Sequence, residues 1–594
     1  FDVAGSVTIT GGSGGKESEL RFTTGTLKVG GSITDTVTPT LTWGNGTVEY
    51  NGTGAQTVTN YGYYNLIINK ASGTATTSGN ITIGNNLTIS SGTLSLGFNT
   101  INRATAGGVF TLGASGTLQF FSSGYFPTNY NTVSIASTST VDLNASGNQV
   151  VQPPPGVVNY GNLRFSTSGN RTFNAAITLN GNLTTTGTVA AITNGGVTVN
   201  GNLDIGSGTS FDPKTSSHVV NGNFTNNGTV STANNGTFSF VVNGNFTNNG
   251  TLTTSNGTLS ITSTFTFSGS SAQAIGGLAT SFYNVAFNNA AGVTTSVNLS
   301  IGGNFTNTAG FAAGTTTTTF NGTAAQTIDA TAATTTFYNL VFNNSAGFIL
   351  NKDMTASNAL TLTSGVVTTG TNTLIFSPIT SCSVTRTSGY VNGKLRKNFT
   401  GTLLACDFEV GDNNATTHYS PLNVSFSSVT TAGGLTVAVR GGTGTSATAD
   451  EHPQVGTGNS GINSVNSINR YWMLTPVPIP ALGGLVFGGA TLTFTHLDNS
   501  GGAFLDHDNT ANVGDYIVQR FQISDTNCYP SEVGYTGSGS WSNATTTGTQ
   551  TLTQTAVTDI TTFGSNCSHF AIGLSTVTAF EREPEFVYSR ELFY

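Results

Sequence analysis

The sequence predicts an all-β protein in which a parallel β-solenoid, or β-helix, of about 20–22 residues per coil precedes β-sandwich modules. The first observation is a repeat: residues 221–230 read Asn-Gly-Asn-Phe-Thr-Asn-Asn-Gly-Thr-Val and return at 243–252 with only the last residue changed. A period in this range is typical of a solenoid, in which each repeat forms one coil stacked on the previous one. Steps of 20, 21 and 22 residues separate the glycines of four related copies, Gly181, Gly201, Gly222 and Gly244.

The second observation is the composition and its patterning. Only 7% of the residues are charged, against roughly 25% in ordinary globular proteins. Disordered chains are poor in aromatic residues, whereas 10% of this chain is aromatic and its apolar residues alternate with polar ones. Phe238, Phe240 and Val242 are an example of this alternation. A period of two predicts strands, and no window shows a sustained helical period.

The third observation is a longer unit that can be aligned in four copies. Each copy begins with a Gln, continues with a Tyr-Asn-Leu-like strand and closes on a strand with Leu or Phe, and the last two landmarks lie 23, 23, 22 and 22 residues apart. The landmarks are Gln56, Tyr64 and Leu87; Gln149, Tyr160 and Leu183; Gln273, Tyr283 and Phe305; and Gln326, Tyr338 and Leu360.

From this unit we predict a solenoid over residues 1–375, with three short strands per coil. The right-handed sense that we expect is taken from known solenoids and not from the repeat. Roughly 17 coils would make a rod on the order of 80 Å long. Phe and Leu should stack inside, Thr and Ser should cover the outside, and Asn ladders should bond along the turns. Asn and Gly recur at the turns because both tolerate positive φ.

The open coil edge at Phe1 and Val3 leads to two alternatives. The chain opens directly on a strand-like stretch, without a signal peptide or a charged cap, so we expect a mature or trimmed form. Either a cap has been removed or the first coil is irregular, or another subunit completes the edge by strand addition.

The composition and periodicity of the sequence change near residue 376, where charged residues and Pro become more frequent and the coil repeat stops. Short strand-like runs at 8–12-residue spacing predict two β-sandwich-like modules, at 376–466 and 467–577. Residues 578–594 form a charged and aromatic C-terminal tail.

Five short motifs in these modules carry a resemblance to a known family. They are Gly-Tyr-Val-Asn-Gly at 389–393, Phe-x-Val-Gly at 408–411, Tyr-x-Pro-Leu at 419–422, Asn-Arg-Tyr-Trp at 469–472 and Phe-Ala-Ile-Gly at 570–573. In this order the chain resembles repetitive surface proteins exported by the bacterial type IX secretion system. The resemblance implies a β-solenoid, β-sandwich modules and then a sorting domain. No complete sorting domain follows Gly573, so we expect that it has been cleaved off or that the export route differs.

The four cysteines lie late in the chain. An even number in a Lys-poor, Thr-rich and Asn-rich chain favours disulfides and an extracellular setting. We expect the pairs Cys382–Cys406 and Cys528–Cys567, because each pair falls within one predicted module. No Cys-x-x-Cys occurs, so a zinc site is not predicted.

The tail is the second candidate assembly element, besides Phe1 and Val3. Residues 581–594 contain 6 of the 44 charged residues of the chain, and several apolar side chains share one face if the segment is extended. The tail is expected to add to the sheet of a neighbour, to dock on its own sandwich or to fray. Its candidate assembly residues are Phe586, Val587, Tyr588, Arg590, Leu592, Phe593 and Tyr594.

Residues able to carry out catalysis are sparse. Between Thr215 and Ile328 the chain has no Asp, Glu, Lys or Arg, and its one His is His218. General acid–base and nucleophilic catalysis need titratable groups within reach of each other, so we predict neither a catalytic residue nor a cofactor. We expect a solvated turn around Pro213 that contains Asp204, Asp212 and Lys214. Two acids and one base close in sequence are too few to indicate a catalytic site.

Two other polar stretches were weighed as binding sites. Residues 506–515, from Asp506 to Asp515, contain oxygen ligands suited to calcium but not the spacing of an EF-hand, and a polar loop is favoured over a metal site. Lys394, Arg396 and Lys397 are expected to form a solvated strand face.

These observations favour a non-enzymatic, extracellular structural protein of a bacterial cell surface. The leading hypothesis is a subunit that self-associates into a fibre or sheath through the open coil edge and the tail. The alternative is a monomeric adhesin or stalk that binds glycans or another cell. A net charge of −8 argues against nucleic acid as a partner, and no apolar run approaches the ~18–20 residues of a membrane-spanning helix.

Overall fold

The structure is a computed structural model. It describes residues 1–10, 19–21, 23–36, 40–121, 126–151, 159–231, 236–254, 262–330, 335–413, 418–441, 462–468, 470–477, 485–495, 516–523, 539–543, 555–560 and 568–575. The chain divides into two units, Phe1–Thr316 and Thr317–Tyr594.

Every regular element of the described residues is a β-strand, as the sequence predicts. β1 to β20 are Asp2–Val3, Val7–Ile9, Glu19–Arg21, Thr26–Val29, Ile33–Asp35, Thr40–Thr42, Thr47–Tyr50, Gln56–Val58, Gly62–Tyr63, Asn65–Thr77, Ile81–Ile83, Leu87–Ser95, Ile101–Arg103, Gly107–Phe120, Tyr130–Ile135, Thr140–Leu143, Gln149–Val151, Asn159–Tyr160, Asn162–Phe165 and Ser168–Phe173. β21 to β40 are Ile177–Leu179, Leu183–Thr185, Thr188–Thr193, Val197–Val199, Leu203–Ile205, Ser210–Asp212, Ser217–Val220, Phe224–Asn226, Thr229–Val230, Ser239–Val242, Phe246–Asn248, Thr251–Leu252, Thr264–Phe267, Gln273–Gly277, Thr280–Phe282, Asn284–Phe287, Val293–Thr295, Leu299–Ile301, Phe305–Asn307 and Phe311–Ala312. β41 to β60 are Thr317–Phe320, Gln326–Ala330, Thr335–Asn343, Phe348–Leu350, Met354–Ser364, Val366–Phe376, Thr385–Arg386, Tyr390–Phe399, Ala405–Phe408, Val410–Asp412, His418–Tyr419, Leu422–Thr431, Gly433–Gly441, Ile462–Ser467, Arg470–Val477, Val486–Thr495, Tyr516–Ile523, Gly539–Asn543, Thr555–Ile560 and Ser568–Ser575.

The parallel strands form a β-solenoid of about 17 turns, which confirms the predicted fold class. Long strands of 13, 9 and 14 residues, β10, β12 and β14, occur early in the first unit. In the coils from β21 to β29 each coil contributes three short strands, and each strand pairs with its counterpart in the next coil. Thus β21 pairs with β24 and then β27, β22 pairs with β25 and then β28, and β23 pairs with β26 and then β29. The predicted division of a coil into three strands is therefore correct for these coils.

The core follows from the period-two alternation in each strand. Leu203 lies in register with Phe224, and Phe224 with Phe246, so that identical faces stack inside the coils. The aromatic rings contact each other from coil to coil: Phe224 and Phe246 have ring centroids 5.2 Å apart, and Phe240 and Phe265 are stacked at the same distance. These side chains are almost fully buried, so apolar burial and ring contacts stabilise the stack.

In the second unit the parallel pairing continues beyond residue 376. β46 pairs in parallel with β48, and β48 pairs in parallel with β50. The first antiparallel partner of β48 is β53. The change of composition and periodicity near residue 376 therefore does not coincide with the end of parallel pairing.

Two antiparallel sheets follow. One contains β48, β53, β55, β60, β57 and β58, and the other contains β49, β52, β56 and β59. Rings from the two sheets contact each other, with centroids 4.7 Å apart for Phe399 and Phe426 and 5.0 Å apart for Trp472 and Phe494. The predicted boundary between residues 466 and 467 stays a prediction, but strands from both sides of it lie in both sheets.

Candidate functional site

The corners of the solenoid coils carry a ladder of asparagine side chains. Oδ1 of Asn182 accepts the backbone N–H of Asn202 at 2.7 Å, one coil later. In the same way Asn202 accepts from Asn223, and Asn223 accepts from Asn245, both at 2.9 Å. Each amide thus satisfies a backbone donor at a turn, where the sheet hydrogen bonds are interrupted. The predicted Asn ladders are confirmed.

The glycine before each ladder asparagine is required for a different reason from the one the sequence suggested. A Cβ on Gly244 would lie 2.3 Å from the carbonyl oxygen of Gly222, and a Cβ on Gly222 would lie 2.6 Å from that of Gly201. None of these glycines has a positive φ, whereas Gly187 and Gly208, at other turns, have φ of 77° and 78°. Positive φ is therefore the wrong explanation for the repeated Asn-Gly-Asn, where close approach of successive coils excludes a side chain.

The glutamine that opens the longer repeat is a buried connector between coils. Nε2 of Gln273 donates to the carbonyls of Val242 at 2.9 Å and Gly244 at 2.5 Å in the preceding coil. Its Oε1 accepts the N–H of Gly269 and the side-chain amide of Asn289 in the following coil. One side chain therefore holds three successive turns together, which explains the recurrence of Gln at this place in the sequence.

Another copy of this connector uses a cation in place of the amide. Lys70 Nζ donates to Gln56 Oε1 at 2.5 Å and to the carbonyls of Gly52 and Gly54. Arg171, also fully buried, donates to several carbonyls, among them that of Ala145 at 2.8 Å. Burial lowers the pKa of Arg171 to about 10, which leaves the guanidinium charged at neutral pH. These cations neutralise carbonyl dipoles inside the turns.

His218 is a core residue. Its ring stacks on Phe240 with centroids 4.9 Å apart. Nδ1 accepts the backbone N–H of Val197 at 3.2 Å, and Nε2 donates to the carbonyl of Pro213 at 3.3 Å. Burial lowers the pKa of His218 to about 4, so that the ring is neutral at physiological pH. Its two ring nitrogens are used by the backbone.

The polar centre of the sandwich is a buried ion pair with a network of hydrogen bonds. Nη1 of Arg470 lies 2.5 Å from the Asp412 carboxylate and 2.6 Å from the hydroxyl of Ser420. The indole N–H of Trp472 donates to the Ser420 carbonyl at 3.2 Å, and the hydroxyl of Tyr390 donates to the Asp412 carbonyl at 2.8 Å. Both charges are almost fully buried, so each depends on the other for its stabilisation.

This network contains side chains from three of the five sequence motifs that carry the family resemblance. Tyr390, Ser420, Arg470 and Trp472 belong to three of them, and Asp412 directly follows a fourth. The fifth motif, at 570–573, lies on β60, which pairs with β55 through Trp472 and its neighbours. The motifs therefore have a packing role in common, which the sequence order alone did not reveal.

Lys397 corrects the prediction of a solvated basic face. Its side chain is fully buried, and Nζ lies 2.7 Å from the carboxylate of Glu409. Nζ also donates to the carbonyls of Cys382 and Asp407. A signal was present in the sequence, because Lys397 lies two residues after Leu395 and therefore on the apolar face of its strand.

The disulfide between Cys382 and Cys406 is present, with the two Cα atoms 5.7 Å apart, and this predicted pair is confirmed. Cys528 and Cys567 lie outside the described residues, and so do Asp506–Asp515. The second disulfide and the polar loop stay predictions.

The candidate assembly residues are described only in part. Phe1 is 90% exposed, and its amino group donates to the carbonyl of Thr26 at 2.8 Å. Val3 is half-buried and lies opposite Val29 in the next coil. The tail residues lie outside the described residues, so their part in assembly stays a prediction: Phe586, Val587, Tyr588, Arg590, Leu592, Phe593 and Tyr594.

The acidic residues expected at a turn are divided between two places. Lys214 Nζ pairs with the Asp212 carboxylate at 2.8 Å, and Lys214 has a φ of 50°, so the turn around Pro213 is confirmed. Asp204 instead lies on β25, in register with Thr184 and Thr225. Burial raises the pKa of Asp204, while a hydrogen bond with Thr225 works in the opposite direction.

Within the described ranges, no three or more His, Cys, Asp or Glu side chains are grouped so that they could hold a metal ion. Over the same ranges no helix has the length and apolar character needed to cross a membrane. Comparison of the chain with protein-family models, with curated proteins and with solved structures finds no match.

Proposed function

We propose that this chain is a non-enzymatic, extracellular structural protein that assembles into a fibre or sheath on a bacterial surface. The observation that carries the proposal is the use of polar side chains as contacts between coils. Asn182, Asn202 and Asn223 each bond to the next coil, and Gln273 connects three turns. These polar side chains hold the coils of one chain together, as expected of a structural protein.

The manner of stacking supports self-association. Successive coils pair in parallel, and each coil edge offers the backbone groups that the next coil bonds. A strand from another copy with the same repeat can pair with such an edge by the same register. The disulfide between Cys382 and Cys406 supports the extracellular setting, because disulfides persist in oxidising compartments. The resemblance to type IX secretion cargo supports the cell surface.

Electron microscopy of the purified full chain tests the proposal. We expect filaments with a regular axial repeat close to the length of one subunit. A variant that lacks residues 581–594 should form fewer or shorter filaments if the tail adds to a neighbouring sheet. Isolated particles at every concentration of the full chain would exclude the fibre. Intact filaments of the truncated chain would exclude only a role of the tail in assembly.

A second candidate function is supported by one exposed aromatic side chain. Phe98 is 69% exposed, and its ring lies edge-on to Phe121 with centroids 5.2 Å apart. Exposed aromatic rings mark interaction surfaces, and an adhesin that binds glycans would use such rings. A glycan-binding screen of the full chain and of Phe98→Ser tests this alternative. Binding that the substitution abolishes supports the adhesin, and the absence of binding excludes this pair as its site.

A further inference from the structure

Lys397 and Glu409 are two opposite charges enclosed in the sandwich. Their side chains have exposures of only 0% and 7%. The rings of Phe376 and Phe408 lie 5.9 Å and 5.6 Å from Nζ of Lys397. Removal from water penalises the charged forms of both side chains.

The contacts of Nζ suit an amine as a nucleophile. The carbonyls of Cys382 and Asp407 accept hydrogen bonds from Nζ at 2.8 Å and 2.5 Å. The third oxygen neighbour is Oε2 of Glu409 at 2.7 Å, and this contact lies outside the angles of a hydrogen bond. A neutral amine has two N–H groups and one lone pair. The two carbonyls therefore take both donors and leave the lone pair for the carboxyl group.

The electrostatic setting favours the same protonation states. Burial lowers the pKa of Lys397 and raises the pKa of Glu409, while the attraction between the two charges works in the opposite direction. Transfer of one proton from the ammonium to the carboxylate gives an amine and a carboxylic acid. These are the two reactants of amide formation, held at contact distance by the fold.

We propose that Lys397 and Glu409 condense to an intramolecular isopeptide bond. Nζ of Lys397 attacks Cδ of Glu409, the N–C bond forms, and one C–O bond of the carboxylic acid breaks. The leaving hydroxyl takes the proton that the attacking nitrogen loses, so that one water molecule is released. No oxidant, reductant or other co-reactant is consumed.

The bond would lie beside the disulfide. Lys397 donates to the carbonyl of Cys382, and Asp407 is the residue after Cys406. The isopeptide bond would join β48 to the residue that precedes β50, so that two covalent links would close the same part of the sandwich. Unlike the disulfide, it would persist under reducing conditions.

Mass spectrometry of the purified, reduced full chain tests the proposal. The expected result is an intact mass lower than the sequence mass by one water molecule. A digest should then yield a branched peptide whose fragment ions place the link between Lys397 and Glu409. A Lys397→Met chain should show the full mass of its sequence. A Lys394→Met chain should keep the loss, because the Lys397–Glu409 contact does not involve Lys394.

Two results would overturn the proposal. One is a chain of full mass whose digest contains separate, unmodified peptides with Lys397 and Glu409. The other is a loss of water located elsewhere, as in a cyclic imide, while these two side chains are free. The digest of the unsubstituted chain decides between link and ion pair even if Lys397→Met fails to fold.

Discussion

The solenoid coils and the antiparallel sandwich bury polar groups in opposite ways. In the coils around β22, β25 and β28, the buried and half-buried polar groups are mostly neutral amides and hydroxyls that bond to the next coil. In the sandwich they include two pairs of ionisable side chains, Arg470 with Asp412 and Lys397 with Glu409.

The difference arises because the solenoid repeats the same coil along its axis, whereas the sandwich has no such repeat. In a stack of parallel coils each residue meets its own equivalent one coil on, so one well-placed Asn or Gly solves the same problem in every coil. Antiparallel strands bring unlike residues together, so each buried group needs a partner of its own. Where cations are buried in the solenoid, as at Lys70 and Arg171, they bind carbonyls of the turns.

Breaking the central ion pair tests the sandwich side of this comparison and should have the largest effect. Arg470→Met removes the guanidinium from the buried Asp412 carboxylate, so the free energy of unfolding of the sandwich should fall by about 3–5 kcal/mol. Hydrogen exchange of the amides in β53 and β55, followed by mass spectrometry, measures the loss locally.

The matched control removes both charges. Asp412→Asn combined with Arg470→Met should recover a large part of the loss, because no isolated charge remains buried. Exchange in β22, β25 and β28 should be unchanged in both variants. A loss below about 1 kcal/mol for the single substitution would contradict a dependence of the sandwich on this pair.

His218 places an imidazole in the solenoid core, so acidic pH should affect the coils there. Its pKa is about 4 in the folded chain and about 6.5 in an unfolded one, so the unfolded chain binds more protons between these values. Stability is fully present above pH about 6.5 and is lost as the pH falls to about 4. The loss should be on the order of 3 kcal/mol, measured by hydrogen exchange in β27 and β30.

His218→Phe is the control, because Phe240 and Phe265 occupy the same register position in the next two coils. The variant leaves the N–H of Val197 without its ring acceptor, so it should be less stable at neutral pH by about 1 kcal/mol. Its stability should vary less between pH 6.5 and 4 than that of the unsubstituted chain. Equal pH profiles would show that other groups cause the dependence.

Gly244→Ala tests the close approach of the coils. The added Cβ would lie 2.3 Å from the Gly222 carbonyl oxygen, so the coils must separate or shift, at a cost of about 1–3 kcal/mol. Gly54→Ala is the control, because a Cβ there has no heavy atom within 4 Å and φ is not left-handed. Thermal unfolding and exchange in β28 and β31 measure the difference. Equal effects of the two substitutions would refute steric exclusion.

Asn202→Ala should have the smallest effect on stability among these substitutions. It tests how much one backbone hydrogen bond of the asparagine ladder contributes. It removes the acceptor of the Asn223 backbone N–H, so stability should fall by about 1 kcal/mol and that amide should exchange faster. Asn227→Ala removes only an exposed side-chain contact with Asn249, so it should change stability by less than about 0.5 kcal/mol. The reverse order would mean that the backbone bonds of the ladder contribute little.

Much of the fold was predictable because the repeat exposes it. The three strands per coil, the inward Phe and Leu and the Asn ladders all follow from period two and from a period of about 20–22 residues. The reason for glycine at positions 222 and 244 was not predictable, because a positive φ and a close approach of two coils both require glycine. Lys397 was assigned to the wrong face although its strand parity indicated the core.

The sequence by itself determined the all-β class and the parallel stacking, because short-range periodicity encodes them. The Cys382–Cys406 pair was an expectation from its place within one predicted module, and the structure contains it. Only the tertiary structure decided that Arg470 meets Asp412, that Lys397 meets Glu409, and that strands on both sides of residue 467 share their sheets. Arg470 and Asp412 are 58 residues apart. No sequence repeat predicts such a contact, because the sequence separation of residues paired by antiparallel strands depends on the lengths of the loops between them.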